Sequence, residues 1–418
     1  MNILLIAYYY PPIISGGSQR PVRMAKYLAK LGNRVTVLAP AYTRANPLEP
    51  DVIRIYDASH NMNRRGIRGL QWLFLRISVE LLNHLGRYSS IYSRWRRSVM
   101  HHADGILQRA KPEVIMATYP PVETLEIGLF LSKKFKLPLV ADFRDGLLFE
   151  PVEFKRLSRF ACLQQRYKKI EAEIASHAAA IITISPYLSA YFKNTYNLEN
   201  VATIPNGYDP DDLAGAAAKI SFAADVFHIV HAGKIALSDS ALSLLPFIAA
   251  LERVLLADMT MAKKMHLHFI GKLTAKEKKS LAALKKKGII SLYGEKDRSF
   301  SLAMQRRSDL LLLITPTERP GIAPGKLFEY LAMQKPILAL DSGTYAAEIL
   351  KETKSGWAVP ALDPEMISKT IEKIINDRDY RAFMTPIENK IQKYSATCQI
   401  KELNTILQQI LSAKRSNR

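Results

Sequence analysis

"TPTERPGIAPGKLFEYLAMQKPILAL", residues 315–340, decides how this chain is built. It follows the apolar run "DLLLLIT" (309–315), crosses a loop of glycines and prolines, continues as a helix-like stretch and closes on the apolar "PILAL". Short apolar runs alternating with helices argue a parallel sheet, because the helix carries the chain back before the next strand starts. Gly321 and Gly325 flank the loop that opens the expected helix Lys326–Met333. Lys326 and Glu329 lie three apart, on one face of its first turns. A carboxylate there accepts hydrogen bonds from ribose hydroxyls while the loop N–H groups face phosphates. The plainer alternative is a glutamate that only complements the helix dipole.

The same alternation runs through the whole chain. Strands are expected at 2–8, 34–40, 113–119, 138–143 and 179–185, then again at 226–233, 265–272, 289–294, 309–315 and 336–341, with helices between. Two doubly wound α/β domains in series are the economical reading. The polar, Ala-rich stretch Asp209–Ala224 is the expected linker, and the pattern after Met366 is helical to the end.

The first domain has its own glycine loop. In "YYYPPIISGGSQRPVRMAKYLAKLG" (8–32), Gly16-Gly17 follows a strand and precedes a helix expected over Ser18–Leu31. Glycine lets a backbone approach a ligand closely, and a helix N-terminus offers free N–H groups. That suits a phosphate or a polar sugar-like group; a flexible strand–helix loop is the alternative.

Composition narrows the classes. Of 418 residues, 48% are apolar, enough for sizeable cores. Cys162 and Cys398 stand far apart, which is neither a disulfide framework nor a zinc pattern and suits a reducing compartment. The start lacks a basic n-region, so it is a poor signal peptide, and no stretch reads as a membrane span. The net charge of +21 calls for an anionic partner. No nucleic-acid module accompanies it, so nucleic acid is not the expected partner. Residues 64–97 hold eight arginines (64, 65, 68, 76, 87, 94, 96 and 97) and one acid, Glu80. Within them "GLQWLFLRISVELLNHLG" (69–86) reads as a helix apolar over much of its circumference. It is either core packing or a segment lying on an anionic membrane.

With "YYYPPIISGGSQR", "LVADFRDG" (139–146), "IITISPYL" (181–188), "IPNGYD" (204–209), "HAGK" (231–234) and "GKLFEYLAMQKPILAL" (325–340) in that order, the chain resembles the retaining glycosyltransferases of the GT-B fold, the group one or family four type. The resemblance implies two Rossmann-like domains facing a central cleft. The acceptor domain would be 1–208, with a C-terminal helix of about 393–418 packing back on it, and the nucleotide-sugar domain 209–392.

It also implies roles. Glu329 matches the second glutamate of the family's two-glutamate motif, which binds the ribose. The first glutamate's position is Gly321, and Glu318 is the candidate replacement. Lys234, after Gly233, matches a basic residue facing the donor diphosphate, and the position of a second lysine is Asp239. The implied donor-binding set is thus Gly16, Gly17, Gly233, Lys234, Gly325, Lys326, Glu329 and Glu318. Lys234, Asp142 and Asp145 are the candidate catalytic residues. Asp142, Arg144 and Asp145 form either a structural ion pair at a strand end or an acceptor-side group.

The implied reaction is retaining, metal-independent transfer of a sugar to a glycan or lipid-linked acceptor. The setting would be the synthesis of lipopolysaccharide or another cell-envelope polysaccharide, at the cytoplasmic face of a membrane. No cofactor is expected, since the nucleotide sugar is a substrate. A sugar-nucleotide epimerase of the same fold and an inactive basic binding protein are the alternatives.

Overall fold

The structure is a computed structural model that describes residues 1–13, 16–41, 51–57, 67–150, 158–214, 220–235, 244–315, 319–341, 343–377 and 384–416. The chain divides into two compact units, Met1–Pro205 with Gln399–Arg418, and Asn206–Cys398.

The first unit is built on seven parallel strands: β1 (Asn2–Ile6), β2 (Arg34–Ala41), β3 (Val52–Tyr56), β4 (Val114–Tyr119), β5 (Leu139–Phe143), β6 (Ala180–Thr183) and β7 (Val201–Thr203). Their order across the sheet is β3-β2-β1-β4-β5-β6-β7. The inner strands are buried on both faces, which is why they read as continuous apolar runs. The residues Gln399 onward return to this unit. Asn33 donates to the Asn404 side chain at 2.8 Å, Lys414 to the Lys136 carbonyl at 3.0 Å, and Arg415 pairs with Glu113 at 3.1 Å.

The second unit has six parallel strands: β8 (Phe227–Ala232), β9 (Met265–Ile270), β10 (Ile290–Gly294), β11 (Leu310–Ile314), β12 (Ile337–Leu340) and β13 (Gly356–Val359). Their order is β10-β9-β8-β11-β12-β13. Strand order reverses between β1 and β4 in one unit and between β8 and β11 in the other. In doubly wound sheets, ligands bind beyond the carboxyl ends of the strands at such points.

The sequence reading missed three strands, β3, β7 and β13. β3 and β7 are sheet edges, and β7 spans only three residues. β13 is four residues that begin with a glycine. The expected linker is not uniformly irregular, since Pro210–Ala214 is a short helix.

Candidate active site

In the first unit, two sequence motifs hold each other through their arginines. Arg20 lies in the helix Gly16–Lys30 that follows β1, and Asp142 stands near the end of β5. The Arg20 guanidinium grips Asp142 with Nη2–Oδ1 at 2.7 Å and Nε at 3.1 Å from both oxygens. Its Nη1 donates to the Pro205 carbonyl at 2.9 Å. Thr118 lies in register with Asp142 on β4 and donates to Oδ2 at 2.7 Å. Asp142 is wholly buried and Arg20 nearly so.

Arg144 answers in the other direction. It donates to the Tyr119 carbonyl at 3.1 Å, the Pro120 carbonyl at 3.0 Å and the Gly17 carbonyl. Thus "GGSQR" supplies the arginine for "DFRD", and "DFRD" supplies the arginine for "GGSQR". Of the Asp142, Arg144 and Asp145 group considered from sequence, Asp142 forms its ion pair with the distant Arg20, and Arg144 donates to backbone carbonyls. Asp145 is half-buried on the same loop. Gly16 opens the helix, and a Cβ placed on it would meet nothing within 4 Å. Its backbone does not require glycine either, since its φ is not positive.

In the second unit, the loop after β8 meets the helix Gly325–Ala332. Gly233 has φ +110°, and a Cβ there would come within 3.3 Å of the Lys326 Nζ. Gly271, φ +132°, packs so closely that its Cβ would lie 2.5 Å from the Gly233 carbonyl oxygen. Both positions therefore demand glycine. The Lys326 ammonium donates to the Lys234 carbonyl at 2.8 Å, and the Lys234 side chain itself is exposed. Burial pushes the Lys326 ammonium down to about 8, against a smaller opposing pull from Glu329.

His231 is buried on β8 and donates from Nδ1 to the Leu312 carbonyl at 2.9 Å. Burial, with the Lys326 charge nearby, holds it at about 3, so its ring is neutral. Tyr330 accepts from the Ala232 amide at 2.9 Å and fastens the helix to the end of β8. Gly325, like Gly16, has open space where a Cβ would stand.

Glu329 is one turn beyond Lys326, and its side chain is only partly exposed. Its Oε1 accepts from Arg298 Nη1 at 2.8 Å, while Arg298 Nη2 reaches Asp212 Oδ2 at 2.8 Å. Arg298 is held there because Asp297 caps its helix, accepting from the Phe300 amide at 2.7 Å. The second unit therefore joins Gly233, Lys234, Gly325, Lys326 and Glu329 around one helix start. Glu318 and Asp239 lie outside the described residues. Sequence reading missed two residues of these constellations. Arg20 stood inside a quoted motif, but nothing in its spacing named Asp142 as partner. Arg298 is the first residue of the helix Arg298–Arg307, and nothing in its spacing named Glu329 as partner. Among the described residues no group of three histidines, cysteines or carboxylates is placed to hold a metal ion.

Residues 15–207 match the profile described as glycosyl transferase 4-like domain, and residues 247–391 match that of glycosyl transferases group 1. No curated protein matches the chain by sequence. Among solved structures, the chain resembles sucrose-phosphate synthase from Thermosynechococcus elongatus (TM-score 0.70, 14% identity, covering 98% of this chain and 99% of that one). It also resembles α,α-trehalose 6-phosphate synthase from Burkholderia multivorans (TM-score 0.67, 14% identity, 99% of each chain). A third is HepE of Anabaena, solved with UDP and glucose (TM-score 0.60, 14% identity, covering 98% and 99%). At such identities these likenesses speak for the fold. With the two profiles following one another along the sequence, the chain belongs to the group 1 glycosyltransferases of GT-B fold.

Proposed function

We propose that this glycosyltransferase takes a sugar from a nucleotide-sugar donor bound by the second unit. It would pass the sugar, with retention and without a metal ion, to a glycan or lipid-linked acceptor in cell-envelope polysaccharide synthesis at the cytoplasmic face of a membrane. The observation that carries the donor part is the Lys326 ammonium, set beside Gly233 at the start of a helix whose first residue, Gly325, faces open space. Two free helix N–H groups, the Lys326 ammonium and the exposed Lys234 make a cationic cradle for a diphosphate. That HepE was solved with UDP and glucose supports a nucleotide sugar as the ligand class.

In this reading Glu329 takes the ribose hydroxyls through the carboxylate that Arg298 orients. The bond from the anomeric carbon to the diphosphate breaks as the acceptor hydroxyl oxygen bonds to that carbon. The acceptor's proton passes to the departing phosphate oxygen. Lys234, Lys326 and the helix N–H groups stabilise the charge that builds on the diphosphate. Asp145 is assigned to the acceptor side, and Asp142 acts by fixing Arg20 and the loop it supports.

The test is release of nucleoside diphosphate from a panel of nucleotide sugars in the presence of a chelator, with and without candidate acceptors. Acceptor-dependent release, with the anomeric configuration kept by NMR, is the expected result. Isomerisation of the sugar without transfer would make it an epimerase. No turnover of any donor would favour a binding protein.

A further inference from the structure

The helix Ile67–His84 has two apolar sides, and only one of them is covered. Val79 and Asn83 are buried, and the helix end is fastened at that side. Asn83 exchanges hydrogen bonds with the Ser89 backbone at 3.0 Å each way, and its carbonyl accepts from the Cys162 thiol at 3.3 Å. The His84 ring packs edge-on against the buried Phe160, 4.9 Å between centroids. On the other side Leu73, Phe74, Ile77 and Leu81 are 51%, 64%, 54% and 57% exposed, followed just past the helix by Leu85 at 66%. At about 100° per residue these four helical side chains span an arc of roughly 100°, opposite Val79. A bare stripe of that length on one helix is an interaction surface rather than scattered surface leucines.

The charge around the stripe selects its occupant. Arg76 and Arg87 are exposed, as is Arg159, which lies against His84 at 3.2 Å. Glu80 is the single acid between residues 67 and 97. No described helix is long and apolar enough to cross a membrane. A short amphipathic helix with an apolar face and a basic margin lies in the headgroup plane instead. A symmetric dimer through this stripe would bring two basic margins of like sign together.

We propose that the Ile67–His84 helix docks the first unit on an anionic lipid surface, with Leu73, Phe74, Ile77 and Leu81 entering the acyl boundary and Arg76 and Arg87 at the headgroups. This goes beyond the donor reading and does not depend on it. It also corrects which arginines matter. Arg96 is half-buried and pairs with the buried Glu126 at 3.1 Å alongside Arg166, so its charge is already matched within the protein. Arg64, Arg65 and the side chain of Arg68 lie outside what is described.

The test is co-sedimentation of the full chain with phosphatidylcholine vesicles with and without phosphatidylglycerol, at low and high salt. Binding is expected only with phosphatidylglycerol and weaker in high salt. Arg76→Ser/Arg87→Ser should weaken it by roughly fivefold per arginine. Leu73→Ser/Phe74→Ser/Ile77→Ser should abolish it at unchanged thermal stability, since these side chains are exposed. No binding to anionic vesicles, or equal binding by all three proteins, would overturn the proposal. So would a self-associating wild type whose dimer is broken by the serine substitutions, seen by sedimentation velocity. Nucleotide binding by the second unit would be unaffected in every case.

Discussion

Arg20 and Asp142, 122 residues apart, form a buried three-bond ion pair that ties the first glycine loop to the end of β5. Asp142 is fully enclosed, so removing its partner strands a carboxylate in a low dielectric. Arg20→Ala should destabilise the protein by about 3–5 kcal/mol in urea unfolding. Arg20→Ala/Asp142→Ala should cost less than the two single changes added together, because the stranded charge is gone. A single-variant loss below about 1 kcal/mol, typical of surface pairs, would refute a structural role for this pair. The corollary concerns activity: loss of turnover in an Asp142 variant reports the Arg20 contact before it reports chemistry.

Glu329→Gln should lower nucleotide affinity roughly tenfold, about the worth of one charge-assisted hydrogen bond. The fold should survive, because the carboxylate is partly exposed and not core. A 2′,3′-dideoxynucleotide should bind wild type and variant alike. If the variant weakens both nucleotides equally, Glu329 does not read the ribose.

The Lys326 ammonium, pushed down by burial to about 8, supplies a pH signature. It is charged below that value and neutral above it. Affinity for a nucleoside diphosphate should therefore fall as pH rises through about 8. Lys326→Arg should keep its affinity across the same range, since guanidinium does not titrate there. Calorimetry on either side of pH 8 decides; a flat profile for the wild type removes Lys326 from the phosphate site.

Two histidines give the second unit an acid limit. His231 and His268 are held near 3 chiefly by burial, against an ordinary value of about 6.5. His268 sits in a chain in which the Tyr293 hydroxyl donates to its Nδ1 and its Nε2 donates to His228 Nδ1, each at 3.0 Å, while His228 Nε2 donates to the Ala223 carbonyl. Between about 3 and 6.5 the unfolded chain binds protons that the folded one refuses. Stability is thus present above about 6.5 and falls as pH drops through that window, by up to about 1.4 kcal/mol per pH unit for each histidine. Hydrogen exchange in β8 and β9 should accelerate accordingly, and His268→Asn should blunt the effect. Unchanged exchange down to pH 4.5, about midway in the window, would contradict it.

What the sequence disclosed and what it hid follow from physics. Strands buried on both faces, such as "LLLLI" in β11, are unbroken apolar runs and were read directly; the helices after the two glycine loops were expected from Ser18 and Lys326 and start at Gly16 and Gly325. The edge strands β3, β7 and β13 are short or half-exposed and carry no such run. Lys234 stands two positions past the end of β8, and Lys326 and Glu329 in the first turns of the helix that the glycine loop opens, so all three could be named as candidates from local pattern. Arg20–Asp142 and Arg298–Glu329 are contacts made by the fold, 122 and 31 positions apart, and no local pattern announces them. The helix at 67–84 left core packing and lipid docking open because it is apolar on both sides. Only the side chains' exposure shows that one side is bare.

The helix start at Gly325, with Lys326 and Lys234, is proposed to hold the diphosphate of a nucleotide-sugar donor. Calorimetric titration of the full chain with each common nucleoside diphosphate, in a chelator, tests it most directly, alongside Lys326→Met and Lys234→Ala. At least one nucleoside diphosphate should bind the wild type. Each variant should lose roughly tenfold or more in affinity, the worth of one charge-assisted phosphate contact. Failure of every nucleotide to bind, or equal binding by all three proteins, would contradict it.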